Sequence, residues 1–174
     1  MAVGAAHSQM PVRAVRASSI DINIAGISVG FEQPLGGTFT FAARLGLQAG
    51  LSYAWNIYDG GSFYYSLHGA ISVEPRWYYN FRRRLLNGRS IRANSGNYLS
   101  VEAMYLTPPI ARNNDGKAQG FLLTPMWGMR RVWPSRLFLE FSAGVEVYFI
   151  SWDYAADADI GAGPRLSLRF GYSF

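Results

Sequence analysis

Residues 38–57 read TFTFAARLGLQAGLSYAWNI, and their side chains sort by parity. Phe39, Phe41, Ala43, Leu45, Leu47, Ala49, Leu51, Tyr53, Trp55 and Ile57 take the odd positions, while the even ones carry Thr, Ala, Arg, Gly, Gln, Ser and Asn. Successive side chains of a strand point to opposite faces, so the stretch predicts a long strand with one apolar face and one small or polar face. An alternation sustained this far is not a chance pattern.

It recurs on both sides. Residues 63–81 alternate Phe63, Tyr65, Leu67, Ile71, Val73, Trp77 and Tyr79 against Ser66, His68, Ser72, Glu74 and Arg76. Pro75 fits poorly in a central strand and predicts a bulge. Further strands are expected at about Tyr98–Thr107, Gly120–Met129 and Leu137–Ile150, and the last ten residues, RLSLRFGYSF, place Leu166, Leu168, Phe170, Tyr172 and Phe174 on one face. In residues 18–33, SSIDINIAGISVGFEQ, the apolar parity switches between Ile20, Ile22, Ile24 and Ile27, Val29, Phe31. A tight turn at Ala25–Gly26 would make this two short strands, the first starting near Val12, for a total of eight. Helical spacing appears only in RRRLLNG, residues 82–88.

Composition limits what such a sheet can be. The 174 residues suit one domain, 9–174, with residues 1–8 read as a signal-peptide remnant or an expression tail. Residues are 49% hydrophobic but only 16% charged, against roughly 25% in ordinary soluble domains. Lys117 is the only lysine among sixteen basic residues. There is no cysteine, hence no disulfide framework or thiolate site, and no apolar run of 18 residues to make a membrane helix. Strands of this kind close into either a soluble ligand-carrying barrel, apolar inside, or an outer-membrane barrel, apolar outside. The polar face is mostly Gly, Ala, Ser and Thr, which suits a narrow lumen. Aromatics gather near strand ends, with Tyr53, Trp55, Phe63 and Tyr65 at one rim and Phe39, Trp77, Tyr79, Trp127 and Tyr172 at the other. The expected fold is an all-β, antiparallel up-and-down transmembrane β-barrel of eight strands.

With the carboxyl terminus in the periplasm, NIYDGGS, TPPIARNNDGK and SWDYAADADIGAGP become outward loops holding Asp59, Asp115, Asp153, Asp157 and Asp159 against Arg112 and Lys117. EQPLGG, FRRRLLNGRSIRANSG and RRVWPSR face the periplasm and hold Arg82, Arg83, Arg84, Arg89, Arg92, Arg130, Arg131 and Arg136.

The terminal alternation ending on Phe174 resembles the signal that outer-membrane assembly machinery reads on its clients. ISVGFEQPLGG, SVEPRWYYNFRRRLLNGRS, NSGNYLSVEAMY and GMRRVWPSRLFLEFSAGVEVYF are similar to the small Bacteroidetes-type outer-membrane barrels, an OmpA/OmpX-like family of unknown function. The resemblance implies a fold and no activity.

On the polar face the expected lumen groups are Asp21, Glu74, Glu102, Glu140 and Glu146 with Arg44, Arg76, Arg165, Arg169, His68 and Gln48. An eight-stranded barrel is just wide enough for side chains to fill, so paired ions are expected to plug it rather than line a channel. Catalysis is not expected. His68 has Ser66, Ser72 and Glu74 on its own strand face, but residues two apart lie about 7 Å apart, too far for direct proton transfer without a partner from the next strand. The His and Ser motif of outer-membrane lipid A deacylases is absent.

No cofactor is implied. DYAADAD, residues 153–159, lacks the glycine and glutamate of a calcium loop. The arginine cluster Arg82, Arg83, Arg84, Arg89 and Arg92 is interleaved with Leu85, Leu86 and Ile91 and has no aromatic platform, which argues against nucleic acid. It suits the anionic inner leaflet or an acidic periplasmic partner.

The expected function is that of a non-enzymatic structural or accessory subunit of an outer-membrane assembly. Lipid and lipopolysaccharide would surround it, the assembly machinery would insert it, and the 81–96 turn would contact a partner. The alternatives are a lipid A-modifying enzyme and a narrow channel.

Overall fold

The computed structural model describes residues 12–56, 60–113, 118–152 and 159–174. Eight strands run in sequence round a closed ring, β1 (Ala17–Asn23), β2 (Gly26–Gly36), β3 (Phe39–Asn56), β4 (Gly60–Trp77), β5 (Gly96–Arg112), β6 (Ala118–Val132), β7 (Leu137–Trp152) and β8 (Asp159–Ser173). Each is antiparallel to its neighbours, and β8 closes on β1 with Ser19 opposite Ser173 and Asn23 opposite Arg169. The eight-stranded up-and-down barrel expected from the alternation is the fold.

The first hairpin turns at Ile24–Ala25, one residue before the expected position, where Asn23 Oδ1 accepts the Ala25 N–H at 2.8 Å. Ile20 then faces Val29 and Ile22 faces Ile27 across the pair, so the parity switch marks a turn and no register slip. β1 begins at Ala17 rather than near Val12. Residues 14–15 are instead held at the end of the barrel, Ala14 N donating to Gly37 O and Val15 N to Asn94 Oδ1.

No bulge forms at Pro75. The register holds past it, with Phe41 opposite Pro75 on one side and, on the other, Val73 and Arg76 in step with Ala103 and Ser100. The ladder shifts instead where Leu67, His68 and Ala70 meet Ala111, Pro109 and Leu106, because Pro108 and Pro109 bring no amide hydrogen to it. Two expected outward loops also shrink: β5 runs on to Arg112, and β8 starts at Asp159, so DIGAGP is strand. Asp59, Asp115, Lys117, Asp153 and Asp157 lie outside the described residues, as do residues 1–8 and the side chains of Tyr53 and Trp55.

The two faces are as unlike as the sequence requires. Leu45, Ile71, Phe121, Val145 and Leu166 on the outer wall are between 51% and 74% exposed, whereas Glu74, Arg76, Glu102 and Glu140 inside are at most 1% exposed. On β8 the predicted alternation holds, with Leu166, Leu168 and Phe170 outside and Arg169 buried; Phe174 N donates to Ser18 O across the seam. One rim is aromatic: Phe39 stacks on Trp77 at 6.0 Å, Trp77 meets Tyr79 at 6.2 Å, and Trp127 Nε1 donates to the Tyr79 hydroxyl.

That rim belongs to the end where the described chain starts and stops. The long connection there folds into helix α1 (Phe81–Leu86) and a 3-10 turn, Arg92–Asn94. α1 ends at Asn87, followed by Gly88 with φ 66°, a conformation that favours glycine. Phe81 turns inward and stacks on Tyr78 at 4.6 Å, and Tyr98 and Ala14 complete a buried apolar cap over this end. Asn94 fastens it, bonding both the amide and the carbonyl of Val15.

Candidate functional site: the charged lumen

Inward parity gathers charge from seven strands onto the barrel axis. Glu140 of β7 lies at the centre. Its Oε1 accepts from Arg44 at 3.0 Å, Arg76 at 2.8 Å and Arg169 at 3.0 Å, and its Oε2 from Arg76 at 3.1 Å and Arg130 at 3.2 Å. Glu74 Oε2 accepts from Arg44 at 2.7 Å and Arg76 at 2.6 Å. Glu102 joins Arg169 at 3.4 Å and Arg165 at 2.9 Å, and Arg165 reaches up to Glu146 at 2.6 Å.

Below the centre, Glu32 accepts from Thr40 at 2.7 Å and from the Tyr78 hydroxyl at 2.9 Å, with Arg76 at 3.8 Å. Burial and the Glu32 charge beside it hold the Tyr78 phenol well above its ordinary range, so it stays a donor. Arg76 also lies over the Tyr98 ring and Arg130 over Phe138, at 4.3 Å and 4.2 Å.

These ions balance. Glu32, Glu74, Glu102 and Glu140 oppose Arg44, Arg76, Arg130 and Arg169, with Glu146 and Arg165 as a further, partly open pair. A buried ion left unpaired is costly, and each of these ten meets an opposite charge; Asp21, also buried, takes the Ser28 hydroxyl instead. The space left around Arg44, Glu102 and Arg169 is a cavity of about 20 Å³, room for one water at most. Above it the lumen widens to about 280 Å³ between Gln48, Gly50, His68, Leu106, Glu146 and Arg165. The barrel is thus filled in its middle, capped at the aromatic end, and hollow toward the other.

Of the residues expected here, Arg44, Glu74, Arg76, Glu102, Glu140, Glu146, Arg165 and Arg169 form one connected network. Asp21 points inward but bonds Ser28 at 2.7 Å instead of an arginine, and His68 stands on the wall of the upper cavity. Glu32 and Arg130 are also members, where the sequence reading placed both in turns. Parity could have found them: Glu32 shares a face with Ser28 and Gly30, Arg130 with Thr124 and Gly128.

His68 corrects the distance argument made from strand rise. Its Nε2 lies 2.9 Å from Ser66 Oγ, and its Nδ1 is 2.8 Å from the Thr107 carbonyl oxygen. A carbonyl only accepts, so Nδ1 carries a proton, and whenever the ring holds that proton alone Nε2 is the acceptor for the Ser66 hydroxyl. Side chains lean along the strand, and the ladder shift at His68 alters its setting, so rise alone misjudges the gap. Among the described residues no three His, Cys, Asp or Glu side chains converge as metal ligands.

The arginines of the 81–96 turn divide. Arg82, Arg83, Arg89 and Arg92 are exposed, whereas Arg84 folds back to donate to Ser90 O at 2.8 and 3.1 Å. Partial burial and the neighbouring Arg89 charge lower the Arg84 pKa from its ordinary value.

No family model, curated protein or solved structure matches the chain. The fold and lumen define a class, the closed eight-stranded antiparallel barrel with an ion-paired interior.

Proposed function

We infer that the protein is an integral outer-membrane barrel serving as a non-enzymatic structural or accessory subunit of a larger assembly. One observation carries the reading: the wall is apolar where a soluble barrel would be polar, and the ions are all but sealed inside. Exposed apolar patches far larger than a few hundred Å² do not persist in water, and a lipid belt is the surrounding that suits this one. The carboxyl terminus would lie in the periplasm, and the β8 face of Leu166, Leu168, Phe170, Tyr172 and Phe174 would be read by the barrel-assembly machinery. Lipopolysaccharide would meet the outer rim, and Arg82, Arg83 and Leu86, exposed on α1, would face a partner.

The packed middle of the lumen supports a structural role over an ion path. Purification from outer membranes in mild detergent, with the native mass measured, tests the subunit reading. Stoichiometric partners lost on neutralising Arg82 and Arg83 support it, and a lone monomer contradicts it.

The Ser66 and His68 contact favours a second reading, hydrolysis of a lipid acyl ester. Ser66 Oγ would attack the carbonyl carbon, His68 Nε2 would take its proton and pass it to the departing alcohol, and water would then release the acyl group. Labelling of Ser66 by a fluorophosphonate, abolished in His68→Ala, would establish that reading; an unlabelled folded barrel would remove it.

A further inference from the structure

Arg131 follows the buried Arg130 and so projects from the outer wall, at the aromatic rim. Its guanidinium is fixed by neutral acceptors, Asn97 Oδ1 at 2.6 Å and the Arg130 carbonyl at 2.7 Å. Asn97 continues to the Tyr79 hydroxyl at 3.5 Å, which accepts from Trp127 at 2.8 Å. Ser95 Oγ ties Arg84 to this rim, accepting from the Arg84 guanidinium and from the Val132 amide next to Arg131, each at 3.4 Å. Arg84 is held by Ser90 O and Ser95 Oγ, and the Arg89 amide donates to Arg84 O at 2.8 Å, fixing the loop between them.

Three like charges are therefore gathered and partly ordered, and among the described residues none makes an ion pair with a carboxylate. Every described carboxylate side chain lies in the lumen except Asp159, at the opposite end. Like charges held together without a counterion cost free energy, which an incoming anion would recover.

We propose that Arg84, Arg89 and Arg131 form a binding site for the phosphate of a phospholipid with a net negative headgroup, its acyl chains lying down the wall beside Trp127 and Leu99. Guanidinium forks match phosphate oxygens in a way a point charge does not. Because no carboxylate side chain among the described residues stands nearby, the ammonium of a zwitterionic headgroup would meet only like charge. Leu99, two residues along the same outer face from Asn97, is exposed, and the indole and phenol rings occupy the level that interfacial aromatics favour. An acidic peptide would satisfy the charges but leave the adjoining apolar wall unused.

This inference rests on the membrane reading, and the test separates the two. The barrel is reconstituted in phosphatidylcholine vesicles carrying trace spin-labelled phosphatidylglycerol or spin-labelled phosphatidylcholine, and the motionally restricted fraction of each is measured. The native protein should retain phosphatidylglycerol several-fold over phosphatidylcholine. Arg89→Gln should cut that ratio about twofold, less than the roughly fivefold one basic side chain is worth at a fully anionic surface, and Arg89→Gln with Arg131→Gln should bring it near unity. Arg82→Gln, on the face turned to a partner, should leave it unchanged.

Equal retention of the two lipids by the native, inserted barrel overturns the site while leaving the membrane reading standing. Failure of the barrel to float with vesicles overturns the membrane reading itself. Displacement of phosphatidylglycerol by inorganic phosphate at constant ionic strength would show a site for free anions and reject a lipid one. Arg89 is exposed and its side chain has no hydrogen-bond partner among the described residues, so its variant folds if the barrel folds.

Discussion

Replacing Glu140 with glutamine keeps the shape of the side chain and removes the charge that four arginines share. Five hydrogen bonds from Arg44, Arg76, Arg130 and Arg169 then lose their anionic acceptor, and four guanidiniums face three carboxylates in a space with room for scarcely one water. Breaking a buried ion pair costs about 3–5 kcal/mol, which is roughly two to four decades in the folding constant. Glu146→Gln is the matched control, because that carboxylate is 23% exposed, its partner Arg165 is 18% exposed, and such partly hydrated pairs are worth about 0–1 kcal/mol. Urea unfolding in detergent micelles, followed by fluorescence of the five tryptophans, measures both. Arg169→Gln added to Glu140→Gln restores three against three, so the double variant should lose less than the sum of the single losses, by about 0.5–3 kcal/mol. Equal, small losses for Glu140→Gln and Glu146→Gln, or strict additivity with Arg169→Gln, would refute the balanced-core argument.

Other perturbations test separate parts of the barrel. Gly128→Ala places a methyl group 2.1 Å from the Tyr98 ring, so the ring must move and about 1–3 kcal/mol should be lost in the same unfolding assay. Phe81→Ala empties the buried stack on Tyr78 and should cost about 3–5 kcal/mol, with faster proteolysis at residues 81–96. Tyr78 is held protonated in the folded state, so stability is complete below pH 10 and falls as the unfolded chain ionises above it; Tyr78→Phe should flatten that alkaline loss at the price of the Glu32 hydrogen bond. In planar bilayers the native barrel should show no steady conductance, and a stable open current would contradict the filled lumen.

Period-two alternation made the barrel legible, because each strand must place one face on each side of a closed wall. The terminal strand could be read to its last residues, and the inward set followed from parity, except where Glu32 and Arg130 sat beside turn-like QPLGG and RVWPSR. Turn residues were the weaker guide: DIGAGP reads as a loop, yet Gly161 lies in β8 because the Tyr148 ring covers it from the next strand. A glycine beneath an aromatic ring is a pairing between strands, and one chain segment does not reveal it. The same holds for Asn94, whose left-handed backbone and two bonds to Val15 bridge 79 residues of sequence. Ser66 and His68 were misjudged for a different reason, since spacing along a strand fixes Cα positions but not where the side-chain tips meet.

The most direct test of the account is the environment of the outer wall. The chain contains no cysteine, so single replacements at Leu45, Phe121 and Val145 can be made cleanly and probed in vesicles with a charged, membrane-impermeant maleimide. The account predicts that all three stay unlabelled until detergent or denaturant is added, and that a fluorophore placed there is quenched by brominated acyl chains. Rapid labelling at all three, with no quenching, would show that water and not lipid covers the wall, and the reading of this barrel as a membrane protein would be wrong.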